Sequence, residues 1–77
     1  MLSYILGIAF RFERERGCSA NLLYLNQEHM QRLCAELGVS AILQLSERLG
    51  LAVTVNPDIA HPHVVYLQQF HNASAIH

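Results

Sequence analysis

The chain has no lysine and no tryptophan, and Asp58 is its only aspartate. Without lysine there can be no Schiff-base amine and no phosphate-loop lysine, and no glycine-rich phosphate loop is present either. The permanent cations are five arginines, Arg11, Arg14, Arg16, Arg32 and Arg48, and the formal net charge is −1. Such a balance creates no long-range field to attract nucleic acid or an anionic membrane. Cysteine is also scarce: Cys18 and Cys34 are too few for a secreted disulfide framework, so free thiols and a cytoplasmic location are expected. The apolar opening MLSYILGIAF is too short to span a bilayer. It lacks the basic start and small-residue cleavage site of a signal peptide. Repeats, linkers and low-complexity runs are absent.

What is abundant is apolar surface. Of 77 residues, 52% are hydrophobic and only 14% charged, against about 25% charged in an average domain. A chain of this length forms one domain, residues 1–77, with 68–77 as a tail. It buries only about 60% of the surface its unfolded form exposes. So few charges on so small a body predict that another chain covers part of it, in a homodimer or a larger protein assembly.

The periodicity predicts an α+β fold. Residues 2–16 read as a helix, with Leu2, Ile5, Leu6, Ala9 and Phe12 on its inward stripe and Tyr4, Ile8 and Phe10 outside it. The competing reading is a strand, from the alternation in FRFERER. Arg14 and Arg16 suit the helix C-terminus, and Gly17 is the stop. Pairs Arg11–Glu15 and Glu13–Arg16 are expected on its solvated face. NLLYL (21–25) reads as a buried strand. Asn26 then caps a helix carrying Met30, Leu33, Cys34 and Leu37 at i, i+3, i+4 and i+7, ended by Gly38. Ser40 is the expected cap of a further helix with Ile42, Leu45 and Leu49 inward, ended by Gly50. LAVTV (51–55) and HVVYL (63–67) are strands, separated by the turn residues Asn56-Pro57-Asp58. The order is α-β-α-α-β-β, a small three-stranded mixed sheet with helices packed on one face. The helical crossover favours a parallel pairing of NLLYL with LAVTV, and LAVTV and HVVYL are expected to pair antiparallel.

IAHPHVVYLQQFH is the stretch that invites a chemical reading. His61 and His63 could hold a metal with a third ligand from His29, Cys34 or His71. The spacing matches no established zinc pattern, however, and exposed loop and edge-strand positions account for both residues. His29, three residues after the Asn26 cap, suits a structural hydrogen bond. LCAELGVSAILQLSERLG resembles a helix-turn-helix in its first half. In its second half, apolar Ala41-Ile42-Leu43 replace the polar residues that read base edges. A winged-helix-like nucleic-acid binder, with the last two strands as the wing, is the resulting alternative. No nucleophile has a base and orienting partner around it, and nothing calls for a cofactor.

The segment GCSANLLYLNQEH (17–29), with HPHV at 61–64, resembles small bacterial or phage-related proteins of uncharacterised function. In these a helix leads into an N-x-LYLN strand, then a helix and a strand pair. The resemblance rests on Asn21, Asn26, His29 and Pro62, and implies the same element order without implying an activity.

The functional expectation is therefore a small non-catalytic interaction or assembly protein. Its contact surface is Tyr4, Ile8 and Phe10 with Val64 and Tyr66 of the last strand, and Ile8→Glu is expected to free monomers without loss of helix. A His61/His63 metal protein is the rival.

Overall fold

The structure, a computed structural model, describes residues 1–67. The expected tail and His71 lie outside the described residues. Three helices and three strands follow in the expected order: α1 (Leu2–Arg16), β1 (Leu22–Leu25), α2 (Gln27–Leu37), α3 (Ile42–Leu49), β2 (Ala52–Val55) and β3 (His63–Val65). Residues 2–16 are thus helix and not strand. Each helix stops where a glycine takes the left-handed conformation, at Gly17, Gly38 and Gly50 with φ of 74°, 69° and 71°.

The sheet order is β2-β1-β3. β1 runs parallel to β2, with Leu23 opposite Val53, and antiparallel to β3, with Leu23 opposite Val64. The parallel pair is the one the helical crossover predicted. The expected pairing of β2 with β3 does not form, because β1 lies between them. The physical reason is in the side chains. β1 is the one strand that is apolar on both faces, and Leu22, Leu23 and Leu25 are all buried. β2 and β3 carry Thr54 and His63, both exposed, and so suit the edges. Pro62, buried, precedes β3, a position that needs no ladder donor.

Strand side chains alternate between faces. Leu23, Leu25, Val53 and Val64 point into one core with Ile5, Leu33 and Leu45, so the helices cover one face of the sheet. On the opposite face Tyr24 lies between Thr54 and His63.

Side-chain amides tie the ends of β1. Asn21 Oδ1 accepts from Leu67 N–H at 2.9 Å, and its Nδ2 donates to Leu67 C=O at 3.2 Å. This side chain continues the β1–β3 contact one step beyond the strand. Asn26 caps α2 with a reciprocal pair. Its Oδ1 accepts from His29 N–H at 2.9 Å, and His29 Nδ1 accepts from Asn26 N–H at 3.2 Å. Asn26 Nδ2 also donates to Ile59 C=O at 3.1 Å and so holds the loop between β2 and β3.

Two caps depart from expectation. The residue before α3 is Ala41, not Ser40, and it offers no side-chain acceptor. Gln44 instead reaches back from the first turn and accepts from Ser40 N–H at 3.0 Å. α1 has no local cap either. Glu36 of α2 supplies one from a distance, accepting from Leu2 N–H at 3.0 Å and pairing with the Met1 amine at 3.0 Å. The hydrogen bond from Leu2, then that from the amine, hold the Glu36 carboxyl below its ordinary value.

Candidate functional site

α1 carries more apolar side chains than it buries, with Tyr4, Leu6 and Phe10 all exposed. Of its fifteen residues only Ile5 is fully buried. The buried stripe is Met1, Leu2, Ile5 and Ile8, all packed on the core cluster. Ile8 therefore lies inside rather than outside, and Leu6, expected inside, is 56% exposed. A helix apolar on most sides offers several stripes of similar hydrophobicity, and the position of β3 under Ile8 selects between them. Phe10 is 64% exposed and Tyr4 49%. At 100° per residue, Leu6 and Phe10 share one flank of α1, whereas Tyr4, Arg11 and Glu15 share the other.

The flank carrying Leu6 and Phe10 borders a cleft of about 250 Å³. Ile5, Ala9, Ala20, Leu49 and Leu51 complete its apolar lining, and Glu13 and Ser19 are its polar residues. Glu13 accepts from Ser19 Oγ at 2.7 Å. Gly7 lies in the same exposed stretch of helix. Nothing stands within 4 Å of the position a side chain would occupy there.

The opposite flank borders an open groove of about 340 Å³ between α1 and the segment leading into β3. Its floor is Ile8, Phe12, Pro62 and Val64, and its rim carries Arg11, Glu15, Arg16, His61 and His63, with Tyr4 at one end. Arg16 stacks on Phe12 with its guanidinium carbon 5.2 Å from the ring centre, and Arg14 lies 5.9 Å over Phe10. The expected pairs Arg11–Glu15 and Glu13–Arg16 do not form. Rings four residues earlier take two of the arginines, because a planar cation gains more on an aromatic face than from a solvated carboxylate. The ion pairs among the described residues are Glu36 with the Met1 amine and Arg32 with Glu28 at 3.2 Å.

The predicted interface residues thus divide. Tyr4, Phe10 and Tyr66 are exposed, while Ile8 and Val64 are half-buried against the core. Leu6 and Leu43, the latter 78% exposed, are outward-facing hydrophobes that periodicity assigned inward or left unassigned. Ile42, expected inward, is 38% exposed at the start of α3.

The candidate metal ligands His61 and His63 are both exposed and share the groove rim. Among the described residues no three His, Cys, Asp or Glu side chains converge on one point. His29 is buried, with its Nδ1 lone pair held by Asn26 N–H. Cys34 packs against the core, and Cys18 is exposed. β2 and β3 flank β1 and form no hairpin with each other, so among the described residues these two strands make no wing beside the α2–α3 pair. No helix among the described residues is long and apolar enough to cross a membrane. No family model matches this chain, and neither a curated protein nor a solved structure matches it.

Proposed function

We propose that this protein is a non-catalytic association module whose first helix pairs with α1 of a second copy. The observation that carries the reading is the pair Leu6 and Phe10, large, i/i+4 spaced and more than half exposed, beside an unfilled apolar cleft. Scattered surface hydrophobes need no explanation, but contiguous ones on one helix flank mark a contact surface.

Gly7 supports a second helix rather than a flexible peptide as the occupant. A glycine inside an exposed helix costs about 0.5–1 kcal/mol relative to alanine. Its φ is not positive and its surroundings are empty, so the monomer gives it no role. An approaching helix backbone would. In an antiparallel pair about a two-fold axis close to Gly7, Leu6 and Phe10 of each copy meet the same flank of the other, the self-complementary arrangement a two-fold interface requires. Burying that flank also accounts for a chain with so few charges.

Sedimentation equilibrium at micromolar concentration tests this. The wild-type chain is expected at twice its 8.7 kDa mass, and the Leu6→Glu/Phe10→Glu double variant at the monomer mass with its helical circular dichroism retained. A wild-type monomer, or a double variant that dimerises equally well, would reject the proposal.

A further inference from the structure

β2 is the open border of the sheet, and among the described residues it pairs with β1 alone. Ala52 N–H donates to Asn21 C=O at 3.1 Å, and Asn56 N–H donates to Leu25 C=O at 2.7 Å. Along a strand alternate residues turn their backbone groups to the same side. Ala52, Thr54 and Asn56 therefore face β1, and Val53 and Val55 face outward. Among the described residues the N–H and C=O groups of Val53 and Val55 make no hydrogen bond. Monomeric proteins blunt such a border with lysine, proline, a bulge or an inward charge. β2 has none of these. From Leu49 to Asn56 the chain carries no charged side chain and no proline, and the strand keeps an unbroken register with β1. The border at β3 differs: that strand is short, His63–Val65, and follows Pro62, which has no N–H to offer.

We propose that β2 pairs antiparallel with β2 of a second copy about a two-fold axis at Thr54, which joins the two sheets into one. The register follows from the outward groups. With Thr54 opposite Thr54, Val53 of each chain faces Val55 of the other, and every outward valine N–H meets a valine C=O. Pro57 falls opposite Leu51 and ends the ladder. Charge favours a copy of this strand as the occupant: uncharged residues meet uncharged ones, and no like charges are brought together. Thr54 is exposed, and threonines directly opposite each other favour an antiparallel pair. The contact lies on the sheet and not on α1, so it goes beyond the helix pairing and stands without it. A contact this small is weak. Its consequence is assembly: two different two-fold contacts on one chain extend a dimer into a tetramer or a filament.

The test uses the whole chain carrying Leu6→Glu/Phe10→Glu, so that pairing through α1 cannot contribute. Amide–water exchange is read by NMR on ¹⁵N-labelled protein at about 20 µM and about 1 mM, which bracket a weak dissociation constant of about 0.1 mM. Such a constant leaves about three quarters of the chain unpaired at the lower concentration and about one fifth at the higher. The Val53 and Val55 amides are therefore expected to exchange about fourfold more slowly at the higher concentration, because only the unpaired chain exposes them. Ala52 and Thr54, bonded to β1 in either state, keep their rates. Adding Thr54→Lys sets two like charges face to face and is expected to abolish the slowing. Adding Gln31→Lys, on the exposed face of α2, places the same charge away from the border and leaves the slowing intact. The proposal is overturned by Val53 and Val55 rates that do not change with concentration, by equal slowing with Thr54→Lys, or by loss of the slowing with Gln31→Lys, which would mark a general effect of charge.

Discussion

Gly7→Ala separates the monomer's interests from those of the proposed dimer, because the two respond in opposite directions. In the monomer the substitution adds a methyl group into open space, with no atom within 4 Å, at a residue whose φ suits any amino acid. Alanine should then gain the usual helix-interior difference, about 0.5–1 kcal/mol, mostly by restricting the unfolded chain. For a domain of this size that raises the melting temperature by about 3–6 °C. In a two-fold helix pair packed at Gly7, two methyl groups enter one interface. Overpacking of about 1 kcal/mol each, or about 2 kcal/mol together, raises the dissociation constant by about thirtyfold. Urea unfolding followed at a dilution where the chain is monomeric measures the first effect, and sedimentation velocity over a dilution series measures the second. The reasoning is refuted if alanine stabilises the monomer but leaves the dissociation constant unchanged. It is refuted equally if alanine destabilises the monomer, since Gly7 would then have a role inside one subunit.

Two further predictions concern the fold that presents α1. Asn26→Ala removes the α2 cap and the bond to Ile59 C=O, and is expected to cost about 2 kcal/mol; Asn26→Asp keeps the cap oxygen and should recover about half of that, as measured by urea denaturation. Glu36 caps α1 with its pKa lowered in the folded state. Its contribution is therefore fully present above the ordinary carboxylate pKa and is lost as pH falls through the lower, folded value. Glu36→Gln should reduce stability at neutral pH and leave it unchanged in strong acid, so the two denaturation curves converge on acidification; parallel curves would show that Glu36 does not act as the cap.

Local signals were the legible part of this sequence. Asn26 ahead of an i, i+3, i+4, i+7 stripe specified α2 and its cap, and glycines at 17, 38 and 50 marked the helix ends, because caps and stops depend on a few neighbouring residues. Strand order depended on something less local. Turn residues between LAVTV and HVVYL suggested a direct pairing, yet the burial of Leu22 as well as Leu23 and Leu25 places β1 in the middle. The exchange of Leu6 for Ile8 on the α1 stripe has the same origin. When a helix is apolar nearly all round, only its docking partner decides which face is inside. His29 kept the structural role expected of it, but as an acceptor from Asn26 N–H, closing a capping box that usually uses Glu or Gln. The candidate surfaces were half visible. Tyr4 and Phe10 read as outward from the start, while the groove joining Arg11 and Arg16 to His61 and His63 required the docking of α1 beside β3, which no local pattern specifies.

The most direct test of self-association through α1 is a filtered nuclear Overhauser experiment on a mixture of ¹³C-labelled and unlabelled chains. Cross-chain contacts between Leu6 methyl protons and Phe10 ring protons are the predicted result. A spectrum with no cross-chain contact at micromolar to millimolar concentration, or one whose contacts arise from Leu43 on α3 instead, would contradict it.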